Sequence, residues 1–165
     1  MSVKIIAELC QNHNGDMAIL EEMVKQCAEA GAWACKIQTI FADMLQDKPE
    51  LNVVRPYKAE YERLKKLELS WKHQGQFVEL CHRHGVVAMT SCFVPRMVND
   101  IKQAGFDFVK IPGYLSDDVK FLDQVSVVFG DRVVISTSGS ADVMRQFLKR
   151  RFLHWGDPTD AVILH

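Results

Sequence analysis

Polar or charged side chains close six short apolar segments that are spaced along the 165-residue chain. In each segment the polar residue comes two positions after an apolar one, which puts both on the same face of an extended strand. These residues are Glu8, Lys36 with Gln38 after it, Ser91, Lys110, Ser136 and His165. Because α/β enzymes place their chemistry at the carboxyl ends of parallel strands, the pattern predicts one site built from several strand ends.

The two lysines in this set indicate what the site binds. Lysine ammonium groups are seldom buried without a partner, and Lys36 and Lys110 both follow apolar residues. A phosphate or carboxylate supplies such a partner, and the hydroxyls of Ser91 and Ser136 add donors for the same anion. A single lysine at a strand end is more commonly a side chain whose head reaches water. Two lysines beside a carboxylate and two hydroxyls favour an enzyme site that binds an anion.

A repeated pattern predicts the elements that carry these residues. A stretch with helical spacing ends in glycine and a short apolar run follows at once, as at Gly31. The predicted strands are Val3–Leu9, Trp33–Gln38, Val86–Thr90, Phe106–Ile111, Arg132–Ser136 and Asp160–His165. The predicted helices are Met17–Ala30, Lys72–His84, Pro95–Ala104, Asp117–Val127 and Ala141–Trp155. Their alternation predicts one α/β domain with parallel strands and right-handed crossovers.

The overall composition excludes several classes of protein. Twenty basic and 21 acidic residues give a net charge of −1, without the basic excess of a general nucleic-acid binder. No apolar run approaches the ~18 residues of a membrane span, and the N-terminus resembles no signal peptide. The five cysteines form no CxxC pair, which predicts reduced thiols rather than disulfides or a zinc site. We therefore expect a cytoplasmic protein with no nucleic-acid or membrane partner.

The segment from Ile40 to Ser70 interrupts the alternation of strands and helices. It is polar, it contains Pro49 and Pro56, and it predicts one helix near Ala59–Leu67. A long excursion after a strand of a compact domain is more often a functional loop than a random insertion. We therefore expect this segment to serve the site.

The histidines outside the strand ends are less informative. His13 follows the first strand, and the sequence leaves open whether it binds a ligand or metal or caps the next helix. His82 and His84 are two residues apart on a predicted helix, so they point to roughly opposite faces. We expect these two to lie on a solvated face and to form no metal pair.

Blocks of sequence along essentially the whole chain resemble one enzyme family in order and spacing. They are Ile6–Asp16 (IAELCQNHNGD), Lys36–Thr39 (KIQT), Leu67–Ser70 (LELS), Lys110–Pro112 (KIP), Ser136–Thr137 and Ile163–His165 (ILH). NHNGD and LELS together are specific, whereas KIQT by itself is a weak signal. On these blocks the chain resembles the sialic acid synthases, the N-acetylneuraminate synthase family.

The resemblance implies a (β/α)8 TIM barrel, commonly followed by a small antifreeze-like domain. Members of this family condense phosphoenolpyruvate with an N-acylated amino sugar such as N-acetylmannosamine, which gives a nonulosonic acid and phosphate. The resemblance also implies a divalent cation, Mn²⁺ or Mg²⁺, and a domain-swapped homodimer. The two metal-binding histidines of the family belong to segments beyond His165, so we expect the metal ligands to lie outside this chain.

The same resemblance implies roles for individual residues. Lys36 and Lys110 correspond to the lysines that hold phosphoenolpyruvate, and Ser91 and Ser136 to hydroxyls that bind its phosphate or carboxylate. Glu8 corresponds to an acidic residue near the reacting carbon, where we expect it to assist proton transfer. The other substrate-binding residues implied are Gln38 on the sugar side, Thr137 and Asn12.

Three departures from the family's pattern bear on the substrate. Gly113-Tyr114-Leu115 follows Lys110-Ile111-Pro112 where the family commonly has Ser-Gly-Glu, so a phosphate-side hydroxyl and a sugar-side carboxylate are replaced. Cys92 stands where the family has proline, and Ser138 enters a turn that is commonly Ser-Thr-Gly-Met. These differences predict a changed sugar beside a retained phosphoenolpyruvate half.

The length of the chain predicts a partial barrel. Its 165 residues hold about six strand–helix units, and a closed barrel needs eight. We interpret residues 1–165 as the N-terminal portion of a barrel domain whose remaining strands and C-terminal domain lie outside this sequence. Two other functions stay open: a truncated, non-catalytic barrel that binds an anion or regulates a full-length homologue, and a related phosphoenolpyruvate-dependent 3-deoxy sugar acid synthase.

Overall fold

The computed structural model describes residues 3–44, 56–136 and 162–164. Its strands are β1 (Ile6–Cys10), β2 (Ala34–Thr39), β3 (Val87–Cys92), β4 (Phe108–Ile111), β5 (Val133–Ser136) and β6 (Val162–Leu164). Its α-helices are α1 (Met17–Glu29), α2 (Tyr57–Leu67), α3 (Trp71–Arg83), α4 (Val98–Gln103) and α5 (Val119–Phe129). Short 3₁₀ helices cover Ala42–Met44, Pro95–Met97 and Gly113–Leu115. None of the helices in these ranges has the length and apolar character to cross a membrane.

The chain divides into two compact units, of which the first is Met1–Ala88. Here β1 and β2 pair in parallel, with Glu8 opposite Lys36, and the register shifts between Glu8 and Cys10. Helices α1 and α3 cover the sheet. The apolar residues of each helix recur on one face, and this face is the buried one. The fully buried core of this unit includes Leu20, Val24, Ile37, Phe77 and Cys81.

The second unit, Met89–His165, continues the same architecture. Strand β3 pairs in parallel with β4, β4 with β5, and β5 with β6, so these strands lie in chain order. Helices α4 and α5 supply its helical layer. The buried core of this unit includes Met97, Ile101, Phe106, Ile111, Phe121, Val125 and Phe129. The α/β class with parallel strands is therefore confirmed.

The structure corrects some of the predicted boundaries. The first strand begins at Ile6 rather than Val3, and Val3 is 88% exposed. Pairing starts where the Ile5 carbonyl accepts the Trp33 N–H, so the apolar residues before it stay outside the ladder. The helix predicted from Pro95 is split into a 3₁₀ turn followed by α4. The helix predicted over Ala141–Trp155 lies outside the described residues.

Candidate active site

An ion pair joins two of the predicted site residues at the carboxyl ends of β1 and β2. Glu8 Oε2 contacts Lys36 Nζ, and the two residues are directly opposite in the parallel register. The Lys36 side chain is 7% exposed, whereas that of Glu8 is 49% exposed. The second Glu8 oxygen, Oε1, accepts the Cys10 N–H at 3.1 Å. The carboxylate is therefore held between its own strand and the buried lysine, with one side open to solvent.

The backbone turns sharply just after this pair. Cys10 has a φ of +55°, and Asn14 and Gly15 also have positive φ values in the turn that follows. Asp16 ends the turn as the N-cap of α1, since its side chain accepts the N–H groups of Ala18 and Ile19. Asn12, a predicted substrate-binding residue, is exposed in this turn. Gln38 lies two residues after Lys36 on the same face of β2 and is half-buried.

His13 occupies the interior of the same turn. Its side chain is 1% exposed, and its Nδ1 accepts the Gly15 N–H at 3.0 Å. Its Nε2 finds no hydrogen-bond partner within the described part of the chain. Burial lowers the pKa of the imidazole, which favours the neutral form. Of the two alternatives left open for His13, the structure excludes the helix cap, because Asp16 caps α1.

The excursion after β2 packs against this turn. Arg63 of α2 donates to the Gln11 side chain at 3.2 Å and to Glu60 in its own helix. The Lys66 carbonyl oxygen lies so close to Gly15 that a Cβ there would stand 2.5 Å from it. These contacts place part of the excursion beside the predicted site loop.

A buried polar bridge, which the sequence did not reveal, ties the end of β2 to the start of α3. Thr39 donates to Gln74 Oε1 at 2.6 Å, and Gln74 Nε2 donates to the Leu69 carbonyl at 3.0 Å. Thr39 and Gln74 are both essentially inaccessible to solvent. The LELS block supplies a second tie, because Glu68 accepts the Ala42 N–H. These bonds fix the backbone that carries Gln38.

The second unit brings three further predicted residues onto one face. Ser91 of β3 is opposite Lys110 of β4, and Val134 of β5 is opposite Lys110 on its other side. Ser136 follows Val134 by two positions and therefore shares that face. Ser91 is buried, and Lys110 and Ser136 are half-buried. The arrangement offers an ammonium group flanked by hydroxyl-bearing residues, which suits a phosphate or carboxylate.

Three of the residues that depart from the family's pattern follow β4 directly. Gly113–Leu115 forms a 3₁₀ turn, in which Ser116 Oγ donates to the Gly113 carbonyl at 2.6 Å. Tyr114 is 69% exposed, and its hydroxyl donates to the Phe93 carbonyl at 3.3 Å. The turn therefore presents no carboxylate next to the strand that carries Lys110.

Other predicted features have separate outcomes. Thr137, Ser138 and His165 lie outside the described residues. His82 and His84 are both exposed, as expected. In residues 3–44 and 56–136, no three or more His, Cys, Asp or Glu side chains are arranged to hold a metal ion. These side chains do not fit the implied cation, and no reaction step is assigned to it.

Comparison with known proteins identifies the family. The NeuB family profile matches residues 23–165. This chain belongs to the NeuB family. Among curated relatives, the N,N'-diacetyllegionaminic acid synthase of Legionella pneumophila is 34% identical to this NeuB-family chain over an alignment of 128 residues. The match covers 74% of this chain and 36% of that protein. The human N-acetylneuraminate-9-phosphate synthase is 24% identical over 86% of this chain and 41% of that protein.

A solved structure shows the fold of this NeuB-family chain. The N-acetylneuraminic acid synthetase of Leptospira borgpetersenii, solved with citrate, superposes on 100% of the chain with a TM-score of 0.77 and 22% identity. The chain covers 54% of that protein. The fold is thus of the TIM-barrel type, and this chain has a part of the barrel. It spans about half or less of the proteins it matches.

Proposed function

We propose that the complete protein condenses phosphoenolpyruvate with an N-acylated amino sugar, giving a nonulosonic acid and phosphate. The observation that carries the proposal is the buried ammonium group of Lys36, paired with Glu8 at the carboxyl end of a parallel strand. Membership of the NeuB family supports it, and so do relatives that are named as synthases of such acids. The citrate complex of the Leptospira protein adds an example of a carboxylate ligand in this fold.

Each predicted residue has a role in this reaction. Lys36 and Lys110 offset the negative charge of phosphoenolpyruvate, and Ser91 and Ser136 donate hydrogen bonds to its phosphate or carboxylate oxygens. Glu8 stands beside Lys36, where it exchanges a proton with the reacting substrates. The sugar and the adjoining substrate atoms are contacted by Gln38, Asn12 and Thr137.

The bond changes in the reaction are simple to state. The enol carbon of phosphoenolpyruvate attacks the sugar aldehyde carbon, which forms the new carbon–carbon bond and leaves an oxocarbenium centre. Water adds to that centre, and phosphate departs when its carbon–oxygen bond breaks. The bound divalent cation, Mn²⁺ or Mg²⁺, the homodimer and the cytoplasmic location stay predictions for the complete protein.

Phosphoenolpyruvate binding to this chain tests the proposal directly. Titration followed by ³¹P NMR would compare the unmodified chain with Lys36→Met and Lys110→Met. Because a hydrogen bond to a charged group contributes about 1.5–3 kcal/mol, each substitution should weaken binding by about tenfold or more. Lys25→Met is the matched control, since Lys25 is exposed on α1 and pairs with Glu22. Equal affinity in Lys36→Met and Lys25→Met would show that the proposed site is wrong.

Phosphate release by the complete protein then separates the reaction from its alternatives. Release with an N-acyl amino sugar supports the proposal. Release that requires a phosphorylated aldose would instead indicate a 3-deoxy sugar acid synthase. Phosphoenolpyruvate binding with no turnover at any cation concentration would indicate a non-catalytic, anion-binding protein.

A further inference from the structure

A β-bulge over Glu8–Cys10, the β1 bulge, ends β1 beside the proposed site. Up to the Glu8–Lys36 pair the two parallel strands match residue for residue. The next pair in register is Cys10 with Ile37, so β1 advances by two residues while β2 advances by one. The extra residue is Leu9, whose side chain is buried in the core. Bulges of this kind re-aim a side chain and are frequent next to active sites.

The β1 bulge gives the Glu8 carboxylate a second partner. In a regular strand a side chain stands perpendicular to the sheet, whereas the N–H two residues later points toward the neighbouring strand. At the bulge the Cys10 N–H instead donates to Glu8 Oε1 at 3.1 Å, while Lys36 Nζ contacts Oε2. Because the terminal torsion of a glutamate is broad, one partner alone would not fix the plane of the carboxylate. Here each oxygen is held by a different strand.

The backbone of Cys10 maintains this arrangement at a conformational cost. Its φ of +55° lies in the left-handed region, which residues other than glycine adopt uncommonly and β-branched residues least of all. Leu9 is anchored by burial, and its carbonyl accepts the Asn12 N–H at 3.1 Å. Backbone strain persists only where the surrounding structure enforces it, and it clusters at functional sites. The strained residue here is the one that bonds Glu8.

We propose that the β1 bulge positions Glu8 for proton exchange with the substrates, and that the Cys10 backbone, not its thiol, performs this task. The inference rests on the proposed function. With Oε1 held by the Cys10 N–H, Oε2 is left for Lys36 and the substrates. Cys10 is thus a positioning residue that acts only through Glu8. Because a misplacement of about 1 Å can cost about 100-fold in rate, loss of this bond should lower kcat.

Phosphate release by the complete protein, with phosphoenolpyruvate and N-acetylmannosamine, tests this role. Cys10→Gly and Cys10→Asn remove the thiol but accept a positive φ, so their kcat should stay within about twofold of the unmodified protein. Cys10→Val disfavours the left-handed backbone and should lower kcat by about tenfold or more. The KM for phosphoenolpyruvate should change by less than about twofold in all three variants, because the lysines hold that substrate.

Asn14→Val is the matched control for backbone strain. Asn14 has a φ of +52° in the same turn, but it is exposed and its N–H donates to the Gln11 carbonyl. Asn14→Val should therefore lose as much stability to urea as Cys10→Val and still keep its kcat. If Cys10→Val does not fold, amide hydrogen exchange replaces it: the Cys10 N–H should exchange faster in Glu8→Ala than in the unmodified protein, and an unchanged rate would overturn the proposal.

A double-mutant cycle shows whether Cys10 acts through Glu8. In the Glu8→Ala background, Cys10→Val should lower the residual kcat no further, because no carboxylate is left to position. Additive losses would overturn the positioning role, and so would equal kcat values in Cys10→Val and Asn14→Val. Both results require turnover by the unmodified protein. Absence of that turnover would instead overturn the proposed function, and this role with it.

Discussion

At the scale of single residues, the Glu8–Lys36 ion pair neutralises a buried charge in the first unit. A lysine head as buried as that of Lys36 needs a counter-charge, and here Glu8 provides it. Glu8 is half-exposed, so solvent and ligands approach the pair from its side. In the proposed reaction, phosphoenolpyruvate would have to join or displace the Glu8 carboxylate in order to reach Lys36. The residue that neutralises the buried lysine would then also stand next to the substrate.

His13 should make the stability of the chain sensitive to acid. Burial lowers its pKa below the ordinary 6.5, so the unfolded chain binds the proton more tightly than the folded chain. Stability is therefore fully present above about pH 6.5 and falls as the pH drops toward the lowered folded-state pKa, by at most about 1.4 kcal/mol per pH unit. His13→Asn removes this titration, and its side-chain oxygen is placed to accept the Gly15 N–H.

Urea unfolding between pH 7.5 and 5.5 measures this effect. The difference in unfolding free energy between the unmodified chain and His13→Asn should shrink as the pH falls. Gln76→Asn, at an exposed position without a titratable side chain, should show a constant difference from the unmodified chain. Parallel pH profiles for all three proteins would contradict the assignment of a neutral, buried His13.

At the scale of elements, most of the fold was predictable because glycines mark the ends of helices in the sequence. Gly31 has a φ of +81°, a conformation that L side chains rarely adopt, so the residue marks the end of α1 in the sequence as well as in the structure. Alternation along β2 likewise predicted that Lys36 and Gln38 share a face. These signals are local, which is why a single sequence contains them.

The features that the sequence did not reveal depend on distant partners. Gln74 is a polar residue in an amphipathic helix, and nothing in its neighbours marks it as buried. Its burial follows from Thr39, 35 residues away, and from the Leu69 carbonyl. The buried position of His13 is equally invisible, because it depends on how the turn folds back upon itself. The sequence predicted that Glu8 and Lys36 lie at the carboxyl ends of strands, but it did not predict the ion pair between them.

The turn between β1 and α1 should tolerate no side chain at Gly15. Gly15 has a φ of +77°, and a Cβ there would stand 2.5 Å from the Lys66 carbonyl oxygen. Gly15→Ala therefore combines a left-handed backbone cost of about 1–2 kcal/mol with a backbone clash that must move α2 or the turn. Gly31→Ala is the matched control, because Gly31 has a φ of +81° but open space around it.

Chemical denaturation of the two variants separates these effects. Gly31→Ala should lose about 1–2 kcal/mol, and Gly15→Ala should lose clearly more. The additional loss in Gly15→Ala measures how tightly the excursion packs on the turn. Equal losses would show that α2 yields freely, and the excursion would then have no role in holding the site loop.

At the scale of the whole molecule, the predicted substrate contacts are divided between the two units. Glu8, Lys36 and Gln38 belong to the first, and Ser91, Lys110 and Ser136 belong to the second. The hydroxyl and lysine residues match the family's pattern, whereas the turn after β4 does not. Leu115 stands where the resemblance implies a sugar-side carboxylate, which argues for an altered sugar preference. The lysines and serines retain most of the phosphoenolpyruvate half, although Gly113 lacks its phosphate-side hydroxyl.

Leu115→Glu in the complete protein tests this division between the two substrates. The substitution places a carboxylate in the turn directly after β4, where the family commonly has one. Since a hydrogen bond to a charged group contributes about 1.5–3 kcal/mol, the KM for N-acetylmannosamine should fall by about tenfold while the KM for phosphoenolpyruvate stays unchanged. Tyr114→Glu is the matched control, because it adds the same charge one residue earlier on an exposed side chain. A rise in the KM for phosphoenolpyruvate in Leu115→Glu alone would instead place this turn beside the phosphate, and the sugar preference would have to be determined elsewhere in the protein.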